Sequence, residues 1–364
     1  MNLRVLLVGL YAFILLFSGI FSLLIPSLTR RDLLFGVTVA PGARASATGR
    51  KIIAGYRIAS GLLTLVLLAA LVAAIIAVPD AWIASPWLAI GLIAAIFIHG
   101  IPYLFAYRAS TRLRAPAGSL APEVSAPAAE LLPRRYSDYV PLFWELLPVA
   151  ILAGTAAYLV SQYASAPAIT PTHFDVAGNP DRYAAKSIGT YFALVWTQLS
   201  IELLFTSLSV LVVGSKAIPG RAAMRFRVAW LRAIFGIKTL ILTLLGFLAG
   251  VTAHAAISGK RPTALTIAVS LTTVGIIIVG IAVLAVRTGQ GGSRLGPPAE
   301  TATDRTDDRY WFLGMVYHNR NDPAIFVERR FGVGWTLNVA NPWAIVTLII
   351  LISIVALSVV VRRI

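Results

Sequence analysis

Ile58-Ala-Ser-Gly-Leu-Leu-Thr64-Leu-Val-Leu-Leu-Ala-Ala-Leu71-Val-Ala-Ala-Ile-Ile-Ala-Val78 carries no charged side chain from end to end. A helix that crosses the hydrocarbon core of a bilayer needs about 20 such residues. Seven further segments meet the same requirement: 4–26, 86–107, 142–163, 191–213, 228–249, 263–286 and 343–361. The first is too long for a signal-peptide core and no small-residue cleavage site follows it, so it is read as a span. The composition agrees. Of 364 residues, 58% are hydrophobic and only 13% are charged, too few to cover the surface of a soluble fold of this size. The sequence therefore predicts an all-α integral membrane helix bundle of about eight transmembrane helices, with a small cytoplasmic segment before the last helix.

The spans group into units. A three-span N-terminal unit, 1–108, leads into a Pro/Ala-rich cytoplasmic linker, 109–141, and then a four-span unit, 142–286, whose outer loop is 167–188. A cytoplasmic linker and small module follow at 287–341, and the last helix occupies 342–364. About three quarters of the 31 Lys and Arg residues fall in loops one, three, five and seven. That bias places those loops in the cytoplasm of a cell with an inner (plasma) membrane and both termini outside. The net charge of +16 belongs to these loops, so the partner it implies is the bilayer and not nucleic acid. The chain has no cysteine, which removes disulfides, thiol catalysis and thiolate metal sites. No P-loop, dinucleotide fingerprint, HExxH or GxSxG occurs. No enzyme, cofactor, metal or catalytic residue is expected.

Charges inside spans are costly and usually functional or paired. Glu202 lies near the middle of span five and Lys238 at similar depth in span six. The two spans are antiparallel neighbours, so the pair is expected to meet, as a structural staple or as part of a proton or substrate path. Glu145, near the inner end of span four, can snorkel, and Pro148 beside it predicts a kink. His99 in span three reads as a core histidine with a partner. Arg221, Arg225 and Arg232 share a helical face and read as interface anchors. Gly246 and Gly250 form a GxxxG that permits close helix approach.

The outer loop reads Pro171-Thr-His173-Phe-Asp175-Val-Ala-Gly178-Asn-Pro180-Asp181-Arg-Tyr183-Ala-Ala-Lys186. Gly178-Asn179-Pro180-Asp181 is a turn signal, and Asp181 is placed to N-cap a short helix towards span five. His173 and Asp175, two apart, lie on one face of an extended segment. A hydrogen-bonded knot, a binding site for a peptide or small ligand, and a metal site are open in that order. Two ligands are too few for a convincing metal. The order Pro171, His173, Phe174, Asp175, Gly178, Asp181, Tyr183, Lys186 resembles the outer-loop motif of SdpI-type membrane proteins. That resemblance implies a sensor or immunity-type protein whose loop engages a peptide or envelope ligand through His173, Asp175, Asp181 and Lys186.

Before the last span, Asp307 to Asn341 mixes aromatics with Asn-Asp-Pro and Gly, a pattern of short strands and turns. It resembles a small uncharacterised module that closes other membrane proteins. Tyr310, Trp311, Phe331 and Trp335 are expected at the headgroup level, with Arg329 and Arg330 on lipid phosphates. Arg329, Arg330 and Trp335 are alternatively a docking surface for a cytoplasmic partner. Loop one holds a related string, Arg30-Arg31-Asp-Leu-Leu-Phe35-Gly36-Val37, and both strings are expected as hairpin edges at one interface. Three functions remain open: the sensor or immunity protein, a small-solute or ion transporter using Glu202 and Lys238, and a scaffold docking a partner through 307–341.

Overall fold

The computed structural model describes residues 3–78, 86–116, 135–174, 178–215, 221–260, 264–296 and 307–361. Among them, seven helices are long and apolar enough to cross a membrane. The helices are α1 (Leu3–Leu28), α2 (Ala47–Ala77), α3 (Pro86–Ile98), α4 (Ile101–Ser110), α5 (Leu146–Tyr163), the single turn α6 (Ile188–Tyr191), α7 (Ala193–Gly214), α8 (Arg221–Ser258), α9 (Ala264–Thr288) and α10 (Pro342–Val360). The last is a further apolar helix of 19 residues. Large apolar side chains such as Leu62, Leu65, Ile276, Val279, Ile349 and Ile352 point outward, as lipid-facing helices require. The mainly helical, membrane-type fold expected from the sequence is the fold observed.

The expected spans differ from the helices in three ways. Span three is broken: α3 ends at Ile98 and α4 begins at Ile101. Gly100 and Pro102 sit at the break, and proline lacks the N–H that would continue the ladder. Span six is a 38-residue helix, roughly 57 Å long, so it outruns a ~30 Å hydrocarbon core. Third, Pro148 makes no mid-helix kink. A 3₁₀ turn, Leu142–Glu145, precedes α5, and Pro148 lies in the first turn of α5, where its missing N–H costs nothing.

Two groups of helices result. In the front group, α1 packs along α2, α3 closes against them around Leu15, Leu71, Ile75 and Ala95, and α4 packs on α2 around Tyr56, Tyr103 and Ala106. A Cβ at Gly19 would stand 2.4 Å from Thr64 Oγ1, so glycine permits that approach. In the rear group, α8 is central and touches α5, α7 and α9, while α10 packs on α7.

Loops one, three, five and seven meet at one end, called here the basic end. Loop one forms a hairpin of β1 (Leu33–Leu34) and β2 (Val37–Thr38). The segment before α10 forms two more, β5 (Trp311–Phe312) with β6 (Val316–Tyr317), and β7 (Phe326–Glu328) with β8 (Trp335–Leu337). At the opposite end β3 (Ile169–Phe174) pairs antiparallel with β4 (Pro180–Ala185). The predicted short helix capped by Asp181 is therefore a strand. Ser187, in a capping box with Thr190, starts α6 instead.

Candidate functional site

The rear group holds an ion cluster on three helices. Lys238 on α8 lies 2.9 Å from Glu202 Oε1 and 3.2 Å from Thr206 Oγ1 on α7, and it donates a third hydrogen bond to Glu145 Oε2. The expected Glu202–Lys238 pair is present, and Glu145 joins it instead of snorkelling. Lys238 is 2% exposed, Glu202 14% and Glu145 21%. An ammonium has three N–H donors and no acceptor. Here all three donors are matched.

The two carboxylates are not equivalent. Glu145 accepts on both oxygens, from Lys238 and from the Tyr136 hydroxyl at 2.6 Å. Burial, and then the adjacent Glu145 carboxylate, pushes the Tyr136 phenol well above its ordinary range, so it acts as a donor. Glu202 accepts only on Oε1, from Lys238 and from Thr206 at 3.1 Å. Its Oε2 is buried and has no partner. Two carboxylates against one ammonium leave a unit of negative charge in a low-dielectric setting, which is expensive unless neutralised.

One turn away on α7, Gln198 repeats the theme. Its side chain is fully buried, and its Nε2 donates to Leu242 O at 2.8 Å and Thr155 Oγ1 at 3.2 Å. A backbone carbonyl only accepts, so the amide N–H side must face Leu242. That orientation leaves Gln198 Oε1 buried and unpartnered. Gly246 makes room for the amide: a Cβ there would stand 2.7 Å from Thr155 Oγ1 and 3.2 Å from Gln198 Nε2. Its GxxxG partner Gly250 meets nothing nearer than Tyr158 at 3.9 Å. Gln198, Glu202 and Thr206 thus form an i, i+4, i+8 polar stripe on α7 facing α5 and α8.

The remaining candidates are occupied structurally. His99 Nε2 lies 2.7 Å from Thr64 Oγ1, whose hydroxyl donates to Ser60 O, so His99 has the core partner expected of it. In the outer hairpin His173 Nδ1 meets Asp181 Oδ1 at 2.6 Å across the strands. The proposed partner Asp175 lies outside the described residues. Lys186 donates to Tyr163 O and Ala166 O and stands 4.9 Å from the centre of the Tyr163 ring, closing the end of α5. Of the loop residues named from the sequence, His173, Asp181 and Tyr183 remain open to solvent.

The basic end corrects the reading of the last segment. Arg330 is buried and bonds Gly36 O and Asp308, so it does not face lipid phosphates. Burial pulls its pKa below the ordinary range, and Asp308 offsets only part of that. Phe331 packs into Phe35, Tyr56 and Tyr103, and Trp335 packs on Phe226 and Trp230 of α8. Trp311 is buried against Tyr317. Arg329 is exposed and donates to Trp335 O at 3.0 Å. The docking surface expected from Arg329, Arg330 and Trp335 is thus used within the chain. Phe35 and Phe331 do meet, as their matching strings suggested, with ring centres 5.8 Å apart. Loop one also makes a backbone contact with that segment: Gly36 and Gly314, both at positive φ, lie back to back. The Tyr103 hydroxyl lies 3.2 Å from Phe35 O and 2.7 Å from Leu313 O, beside both turns.

Arg227, Gln198 and Tyr136 were not singled out from the sequence. Arg227 is buried and donates to Val213 O and to Ser215 Oγ, capping α7. Only Gln198 had a visible signal, its spacing from Glu202. Arg232 reaches Tyr139 O at 3.3 Å.

Residues 150–197 match the model of a domain of unknown function (DUF1648), and residues 320–345 match a family of unknown function (DUF5808). The first covers α5 from its second turn on and the outer hairpin, and ends just short of Gln198; the second covers the β7–β8 hairpin, which reaches both helix groups, and the start of α10. No curated protein and no solved structure matches the chain.

Proposed function

We propose that the chain moves a small cation across a bilayer through its rear helix group, with Glu202 as the exchange site. The observation that carries this reading is the charge count at the cluster. A fully bonded ammonium faces two carboxylates, and one carboxylate oxygen, Glu202 Oε2, is buried with no donor. One acid would balance the ammonium in charge, and the second leaves one unit over. The basic end faces the cytoplasm of a cell with an inner membrane, and the β3–β4 hairpin faces outside.

The test uses full-length protein in liposomes under an imposed potassium diffusion potential. Internal dyes report protons in one set of vesicles and sodium in another. Wild type is expected to carry at least one of these ions several-fold faster than protein-free vesicles. Glu202→Gln is expected to fall to background, and Lys186→Ala to keep the wild-type rate. Equal rates for wild type and Glu202→Gln would overturn the proposal.

A second reading is favoured by the exposed His173–Asp181 pair and the neighbouring exposed Tyr183. In it the outer hairpin contacts a peptide, as an SdpI-type immunity protein or envelope sensor would. Protection of cells against membrane-active peptides, lost in His173→Ala at equal protein level, supports it. Unchanged protection in that variant removes it. Docking of a cytoplasmic partner through 307–341 has less support, because Arg330 and Trp335 are already engaged.

A further inference from the structure

We infer that Gln198 Oε1 and Glu202 Oε2 together hold one small monovalent cation of sodium size. This deepens the transport reading and rests on it only for the purpose of the site; the binding itself is measured at equilibrium, without flux.

Both oxygens are buried and both lack a donor. Such orphaned groups are rare in folded proteins and call for a water or an ion. They belong to residues one turn apart on α7, whose Cβ atoms are about 5–6 Å apart in any helix. Neither oxygen can be satisfied by turning its group over. Gln198 must present its N–H side to Leu242 O, and Glu202 Oε1 is held by Lys238 and Thr206. Lys238 has no donor left to lend. What the site lacks is a positive charge without a nitrogen ligand set.

The donor chemistry narrows the class. An amide oxygen and a carboxylate oxygen are hard ligands, suited to hard cations and not to soft transition metals. Among the described residues there is no group of three or more His, Cys, Asp or Glu able to hold a metal ion, so a divalent cation would lack charge compensation. The excess charge of the cluster is a single unit. A monovalent cation neutralises it. Thr155 Oγ1 accepts from Gln198 and donates to Ile151 O, which leaves it one lone pair beside the site.

The probe is radioactive sodium on the full-length protein in lipid nanodiscs, read by scintillation proximity and competed with unlabelled sodium, lithium, potassium and choline. Wild type is expected to bind saturably, one ion per chain, with potassium and choline at least tenfold weaker as competitors. Glu202→Gln and Gln198→Leu are expected to lose binding at least tenfold, and Gly250→Ala to keep it. If Gln198→Leu does not fold, Gln198→Asn replaces it, and its shorter amide is expected to bind several-fold more weakly. No saturable binding by wild type, or wild-type binding by both Gln198 variants, overturns the inference. Sodium binding without any flux overturns the transport reading and leaves this site standing. Proton flux without sodium binding does the reverse.

Discussion

Replacing Lys238 by methionine removes the ammonium that bridges Glu145 and Glu202 and leaves a side chain of similar length. Three hydrogen bonds disappear together. Glu145 keeps its bond from Tyr136 and Glu202 keeps that from Thr206, but neither keeps a counter-charge. Removing one partner of a buried ion pair costs about 3–5 kcal/mol. Glu145 is the more exposed of the two acids, so part of its charge is met by water, and the lower half of that range is expected. In a thermal scan this is a fall on the order of 10 °C. Intrinsic fluorescence of the 8 tryptophans reports it in detergent, with Trp144 close by at 5.4 Å from Phe235. The triple variant Glu145→Gln, Glu202→Gln, Lys238→Met removes every charge and is expected to recover most of the loss, because uncharged replacements of a buried pair are often neutral. A single variant that melts with wild type, or a triple variant as unstable as the single, would refute the reasoning.

Gly246→Ala is expected to cost about 1–3 kcal/mol, because its Cβ would press on Thr155 and Gln198, while Gly250→Ala is neutral or slightly stabilising; melting of the two variants side by side checks this. Burial opposes ionisation of Asp32, but its hydrogen bond and ion pair with Arg30 outweigh that and hold its carboxyl below the usual 3.8. Its contribution is therefore present above pH 3.8 and lost as pH falls through the lowered value, so the basic-end hairpins should exchange amide hydrogens faster only below about pH 4, and Asp32→Asn should flatten that acid dependence. Gly36→Ala and Gly314→Ala each place a Cβ 2.7–2.8 Å from the other turn's backbone, at positive φ. Each is expected to speed proteolysis of 307–341, and the double variant to cost less than the two singles added, since the first clash already parts the turns. Gly332→Ala, also at positive φ but with nothing within 4 Å, is expected to cost only the left-handed strain, about 1 kcal/mol.

The spans were legible because hydrocarbon imposes a length and an absence of charge that sequence states directly. Their ends were not, since α2 and α8 continue into water on ordinary helical propensity and caps such as Ser46. Glu202 and Lys238 could be matched because both lie deep in adjacent antiparallel spans. Glu145 could not, because a carboxylate at a span end has water within reach, and only the fold of residues 136–145 turns it inward under Tyr136. In the outer loop the pairing of His173 with Asp181 was not legible, because a hairpin brings together residues eight apart; Asp175 lies outside the described residues. Arg330 was misread for the same reason at longer range, since its partner Gly36 O is 294 residues away.

The position of the last module follows from the solvent each end of the molecule meets. In lipid, the front and rear helix groups gain little by touching, because acyl chains are as apolar as leucine. Within the membrane α1 touches α9. At the basic end water is present and the hydrophobic effect operates, and there the chain places aromatic side chains in two clusters. Phe331 enters the first, with Phe35, Tyr56 and Tyr103 of the front group. Trp335 enters the second, with Phe226 and Trp230 of α8. Two rings four positions apart on one hairpin therefore span the two groups, and burying each ring contributes a few kcal/mol at about 25 cal/mol per Å². Gln290 adds a polar tie, accepting from Arg30 N and donating to Arg329 O. The matched segment 320–345 contains both Phe331 and Trp335, so what that family model describes in this chain is the piece that holds one helix group against the other.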